Sequence, residues 1–413
     1  MKIKIPYGKE KEIVDIPQEN VSAVVYPNEV EVGPPIDTLN TAIENPINSV
    51  SFSQFLSDAR DVLFLVNDGT RPTPTSKVLE LIYERIKDKN VKFLVATGIH
   101  RAATEDEYQL IFDEYYTEFK DRIFMHDAKA DDEMLYVGES KNGTEMWINR
   151  MGMEAHKIIT IGSVEPHYFA GYTGGRKSFL PGIAGYKTVE QNHKYALRPE
   201  AQALALEGNP VHEDMIDALD TIVDKEIFSI QTVLDRERRI FAATAGHIND
   251  SFLAAVEKAN EVFCVELVEK ADIVVSVAPY PMDVDLYQSQ KALDNGKLAL
   301  KENGILIMVS KCRTGVGPPT FFKLLSSCDS PQEVLDKIDR EYKLGYHKAA
   351  KMAEIATWSE MWGVTDLDDR DMENIFIKPF HSIQQAINKA IEKKGPDAKI
   401  ILLMEGSITV PML

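Results

Sequence analysis

The sequence predicts an α/β fold: two α/β domains with largely parallel sheets and an active-site cleft between them. Three observations carry that prediction. Apolar runs of strand length alternate with polar stretches of helical period along the chain, the pattern of strand–helix–strand units. The runs are continuously apolar, as in strands covered on both faces. At 413 residues the chain is too long for one small core and suits two or three domains.

The first element expected is a hairpin over residues 3–16, turning at Gly8-Lys9-Glu10. Strands are expected at 62–66, 91–96, 158–162, 273–278, 305–310, 375–377 and 400–403. Helical patterns lie between them at 77–87, 105–113, 331–341, 345–355 and 381–393. A further β element spans 228–243, with the charged run 235–239 as a solvated tip. A helix at 249–263 then leads to a fresh strand at Ile273. A domain boundary near 266–272 follows, giving an N-terminal cofactor- and substrate-binding domain, 1–268, and a C-terminal domain, 269–413.

Composition narrows the function. With 46 basic and 65 acidic side chains the formal charge is −19, which repels nucleic acid and anionic membranes, so neither is an expected partner. Apolar residues at 44% exclude global disorder. The longest apolar runs, such as 401–404, are far too short to span a bilayer, and the first six residues carry no signal-peptide hydrophobic region. Cys264, Cys312 and Cys328 cannot all pair within one chain and lack metal-ligand spacing. They read as buried thiols in a reducing compartment, and the protein as cytoplasmic.

Ligands of open α/β sheets bind beyond the carboxyl ends of strands. Four successive strand ends here are polar: Asn67-Asp68-Gly69-Thr70-Arg71-Pro72-Thr73-Pro74, Thr97-Gly98-Ile99-His100-Arg101, Val164-Glu165-Pro166-His167-Tyr168, and a loop running into Tyr287-Gln288-Ser289-Gln290-Lys291. Four together are what an active site needs. The densest glycine region, 171–185, holds five of the 23 glycines. It is not a Walker A loop, because Arg176 stands where that motif requires the glycine before its lysine. No G-x-G-x-x-G exists either. Two readings stand for this loop: a phosphate cradle beside Thr173, Lys177 and Ser178, or a structural turn. His126, His156, His212, His247, His347 and His381 read as isolated surface or core residues. His100, His167 and His193 sit in richer surroundings, yet no His pair has zinc spacing, so a metal held by one histidine needs a cofactor for its other ligands.

These segments resemble the nickel-pincer-nucleotide lactate racemase family. The likeness runs from Asp68-x-x-Arg71-Pro72-Thr73-Pro74 to Tyr287-Gln288-x-x-Lys291, and its specificity lies in spacing: 10 residues from His167 to Lys177 and 16 from Lys177 to His193. The resemblance implies a nickel-pincer nucleotide, the nickel complex of pyridinium-3,5-bisthiocarboxylic acid mononucleotide. Nickel bound to one ring carbon and two sulfurs takes its protein ligand from His193. Lys177 matches the lysine able to join the cofactor through a thioamide. Asp68 matches a nucleotide contact, and Thr70, Thr73, Gly174, Gly175 and Ser178 are candidate phosphate contacts. Arg71, Gln288 and Lys291 match substrate positions, with Tyr287 beside them, and a family tryptophan near the substrate corresponds to Trp358 or Trp362. Implied partners are a small 2-hydroxy acid and, transiently, proteins that make the cofactor.

The implied reaction inverts the α-carbon of lactate or a related 2-hydroxy carboxylate through a 2-keto acid. The α-hydrogen leaves as hydride to the cofactor ring, which avoids a carbanion beside a carboxylate. The hydroxyl points differently in the two enantiomers, so two bases are needed, and His100 and His167 are the pair. Arg71 would grip the carboxylate at two points. A dicarboxylate would need a second cation, for which Arg176, Lys187 and Arg313 are candidates. The competing readings are a nicotinamide-dependent 2-hydroxy acid dehydrogenase, which the missing glycine fingerprint disfavours, and a non-catalytic nickel-nucleotide-binding protein, which leaves His100 and His167 without a role.

Overall fold

The computed structural model describes residues 1–222 and 224–413. It divides into two compact units, one of Glu29–Val262 and one joining Met1–Asn28 to Phe263–Leu413.

The Glu29–Val262 unit is built on a six-stranded sheet in the order Ile240–Gly246, Glu226–Leu234, Lys157–Ser163, Asp61–Asn67, Asn90–Ala96, Ile123–Met125. Every pairing is parallel except that of the first two strands. Val62, Leu63, Phe64, Leu65 and Val66 are all buried, as their unbroken apolar run requires of a strand covered on both faces. Helices Thr75–Ile86 and Glu105–Phe112 fall where the helical period placed them. The second is closed by a reciprocal capping box between Thr104 and Glu107.

The other unit holds a fully parallel sheet in the order Ile377–Phe380, Glu360–Val364, Leu300–Val309, Ala271–Val277, Ile400–Leu403, Val21–Val25. The N-terminal hairpin, Lys2–Tyr7 with Glu10–Asp15, turns at Gly8, whose φ of +63° suits glycine. Its Ile3, Ile5, Val14 and Ile16 join this unit's core.

Several expectations shift. Val21–Val25 pairs in parallel with Ile400–Leu403, so the first 28 residues belong with the C-terminal unit rather than with 29–262. The strand expected at 375–377 begins instead at Ile377, because Phe376 turns the chain at a φ of +66°. Glu360–Val364, not anticipated as a strand, lies inside the sheet. At the 235–239 tip, Asp235 is buried rather than solvated. It closes the turn by accepting from the backbone of Glu237 and Arg239 and from the Arg239 guanidinium at 2.8 and 2.6 Å.

Candidate active site

In the Glu29–Val262 unit the carboxyl ends of three adjacent strands carry the candidate groups. Asp61–Asn67 leads to Asp68, Asn90–Ala96 to His100, and Lys157–Ser163 to His167. The Asp68 carboxylate is buried. Oδ2 accepts from His100 Nδ1 at 2.6 Å, and Oδ1 accepts from the Thr70 hydroxyl at 2.6 Å and its amide at 3.1 Å. Burial alone pushes this carboxyl upward, but His100, Thr70 and Arg71 together hold it below the usual carboxylate value. The consequence for His100 is a fixed tautomer: with its Nδ1 proton on Asp68, Nε2 is the basic nitrogen.

The sign of the Asp68 shift sets a pH dependence. A carboxyl depressed in the folded state stabilises the fold above its unfolded value, and that stabilisation disappears as pH falls through the folded value. Asp68→Ala is therefore expected to cost about 2 kcal/mol at pH 7, the scale of a hydrogen bond to a charged group. Denaturant unfolding of both proteins at pH 7 and at pH 3 checks this, and the gap should narrow at the lower pH.

His167 is buried and differs from His100. Its Nδ1 accepts from the Ala170 amide at 3.3 Å, which places the ring proton on Nε2. Phe169 ties the remaining groups together. Its ring meets His167 edge-on at 4.6 Å and His193 at 5.0 Å, and Lys177 Nζ lies 5.7 Å from its centroid. His193, on helix Tyr186–Lys194, is brought down to about 3 first by burial and then by the charges of Lys177 and His100. It is a neutral imidazole at physiological pH, the form that binds metal. Among the described residues no three His, Cys, Asp or Glu side chains are placed to hold a metal ion by themselves. The residues present fit a metal that brings its other ligands and takes one histidine.

The glycine loop answers to packing. Gly174 and Gly175 have φ of +83° and +53°, and a Cβ on Gly175 would stand 2.8 Å from the Phe252 side chain. The Gly175 amide donates to Gln231 Oε1 at 3.1 Å, so it is not turned to a phosphate, and the structural-turn reading accounts for these two glycines. Arg176 is wholly enclosed. It donates to the carbonyls of Ala170 and Gly174, lies 4.3 Å over the Phe252 ring, and is pulled down to about 9 by burial. It braces the loop between His167 and Lys177 and does not face a ligand. Ser178 is buried and Lys177 half-buried. The Thr73 hydroxyl is engaged by Asn67 at 2.7 Å and by Ser163 at 2.9 Å.

Arg71 lies 3.5 Å from Glu165, a partner that sequence reasoning passed over although it stands two residues before His167. Phe169 was likewise missed, since a single aromatic in a loop gives no signal of its neighbours.

Tyr287, Gln288 and Lys291 belong to the other unit, on the short helices Leu286–Ser289 and Lys291–Gly296 that follow strand Ala271–Val277. Asp285 caps the first helix through the Gln288 amide at 2.7 Å. The Lys348 ammonium donates to the Tyr287 carbonyl and sits 3.5 Å over its ring. Neither tryptophan fits a site at a carboxyl edge. Trp362 is 1% exposed and stacks on Phe380 in the core, and Trp358 ends its helix just before the amino end of strand Glu360–Val364.

Comparison with known proteins places the chain in a family. Residues 7–204 match the lactate racemase N-terminal domain, and residues 267–410 match the lactate racemase C-terminal domain. The chain is 32% identical to a lactate racemase of Thermoanaerobacterium thermosaccharolyticum over 98% of this chain and 97% of that one. It is 30% identical to a lactate racemase of Lactiplantibacillus plantarum over 98% of each. The solved lactate racemase apoprotein of T. thermosaccharolyticum superposes with a TM-score of 0.93 at 30% identity, covering 100% of both chains. A Thermotoga maritima protein of solved structure shares the fold alone, with a TM-score of 0.68 at 17% identity over 87% of this chain and 96% of that one. Among the described residues no helix is long and apolar enough to cross a membrane. The chain belongs to the lactate racemase family and is an isomerase.

Proposed function

We propose that the protein racemises a small 2-hydroxy acid, lactate or a close relative, using a nickel-pincer nucleotide and acting in the cytoplasm. The observation that carries this reading is the buried Asp68 carboxylate on Nδ1 of His100, which makes Nε2 of that ring a base. His167 and His193 meet at the same Phe169 ring. Nickel would be held by His193, and the nucleotide by Lys177 and Ser178. When bound, the cofactor supplies a reversible acceptor for the α-hydrogen as hydride.

The chain's own part is to bind, orient and move protons. Arg71, restrained by Glu165, grips the carboxylate with its planar fork. Nε2 of His100 takes the hydroxyl proton of one enantiomer as its C–O bond becomes a ketone. For the opposite configuration, the oxygen takes its proton from His167. To give that proton His167 must first carry protons on both nitrogens, a state in which its 3.3 Å bond from the Ala170 amide is open; the bond forms again once Nδ1 has lost its proton. Starting from the other enantiomer, the two histidines exchange roles. Asp68, matched by the resemblance to the nucleotide, is better understood as the group that aims His100.

A small monocarboxylate is supported by the fate of the three candidate second cations. Arg176 is enclosed, Arg313 is held by Asp283 at 2.9 Å, and Lys187 is exposed on its helix. The test is to produce the protein with cofactor-synthesis enzymes and supply single enantiomers of lactate, malate, 2-hydroxyglutarate, 2-hydroxybutyrate and phenyllactate. Chiral chromatography should show inversion of lactate or 2-hydroxybutyrate ahead of the dicarboxylates. No inversion of any of them would sink the proposal.

A further inference from the structure

Helix Tyr186–Lys194 presents Asn192 and His193 at successive positions, about 100° apart around its axis. His193 packs on Phe169, whereas Asn192 turns toward helix Pro210–Asp220. Asn192 is fully buried. Its Nδ2 donates to the Val211 carbonyl at 3.2 Å and to Asp214 Oδ2 at 2.9 Å, and its Oδ1 lies 3.1 Å from His193 Nδ1. Asp214 is also fully buried and accepts from the Ser140 hydroxyl at 2.5 Å and the Thr144 hydroxyl at 2.9 Å.

The chemistry of these partners determines where the hydrogens are. A carbonyl and a carboxylate oxygen both require donors, so the Asn192 amide cannot be flipped without setting oxygen against oxygen twice. With both its N–H groups committed, Asn192 offers only its oxygen to His193. His193 Nδ1 must then be the donor, and Nε2 is the nitrogen without a hydrogen. Ser140 and Thr144 hold Asp214 in place, Asp214 holds Asn192, and Asn192 sets the ring.

We propose that Asn192, anchored by Asp214, is a positioning residue that fixes the His193 tautomer so that Nε2 is the metal-binding nitrogen. The inference rests on the reading of His193 as the nickel ligand. Partners that orient a ligating histidine through its other nitrogen commonly govern metal affinity by 10–100-fold. The buried Asp214, its two hydroxyl donors and the amide form one such set, assembled from two helices and the turn between the antiparallel strands Met134–Glu139 and Glu145–Asn149.

Two measurements on the full chain test it. In protein labelled with 15N-histidine, long-range proton–nitrogen correlation at neutral pH reads which ring nitrogen carries the hydrogen, and His193→Ala assigns the signal. Wild type should show His193 protonated at Nδ1, and Asn192→Ala should lose that tautomer. The second measurement follows nickel per chain in cofactor-loaded protein during incubation with EDTA. Asn192→Ala is expected to release nickel about 10–100-fold faster than wild type. If that variant does not fold, Asn192→Leu fills the volume without an acceptor and gives the same readings. A wild-type His193 protonated at Nε2, or an Asn192 variant with unchanged tautomer and nickel retention, overturns the inference. If His193→Ala keeps nickel as well as wild type, the underlying ligand assignment fails instead.

Discussion

Replacing His100 by alanine is expected to slow lactate inversion by about 10²–10⁴-fold, the usual contribution of a positioned general base. His167→Ala should slow it on the same scale. The two enantiomers have equal free energy, so kcat/KM must fall by the same factor in both directions for each variant. Cofactor content should stay near wild type, because neither residue is assigned to hold the nucleotide or the metal. The geometry makes His100 the more sensitive of the two to its surroundings. Its Nδ1 proton sits on a buried carboxylate at 2.6 Å, whereas His167 has a backbone amide at 3.3 Å. Initial rates from each enantiomer, followed by chiral chromatography and normalised to nickel content, provide the check. Full turnover in both variants would end the two-base account.

His193→Ala is expected to have a comparably large effect by a different route. Removing the buried imidazole takes away the one protein ligand assigned to nickel, so the variant should emerge from co-production with little retained nickel and correspondingly little activity. Thermal unfolding of the unloaded protein should change far less than nickel content. His193 is a buried ring beside Phe169, so its loss leaves a cavity costing a few kcal/mol at most. Metal analysis after desalting separates this from the His100 and His167 variants, which should retain nickel without turning over.

Much of the fold was legible because its strands are short, predominantly apolar runs. Residues 62–66, 91–96, 158–162 and 400–403 could hardly be read otherwise, and their carboxyl ends delivered Asp68, His100 and His167 directly. The edge strand Val21–Val25 was not legible, since Ser22 interrupts a run of only five residues, and it and Val24 face outward at the sheet's margin. Glu360–Val364 was not legible because Glu360 and Gly363 leave too short an apolar stretch to read as a strand. Within the site, sequence spacing named candidate residues but not what supports them. The glycine loop stayed ambiguous because Gln231 and Phe252, which explain it, lie far along the chain. Asn192 stood next to His193 in full view. Its role appears only once Val211 and Asp214 supply the two acceptors that fix its amide.

Single-enantiomer lactate deuterated at the α-carbon, incubated in ordinary water with cofactor-loaded protein, tests the central claim most directly. Chiral separation with mass detection follows configuration and label together. The account predicts inversion with the deuterium retained, because the α-hydrogen leaves and returns as hydride while only the hydroxyl proton exchanges through the histidines. Inversion with the label lost to water would show that the α-hydrogen leaves as a proton, and would contradict it.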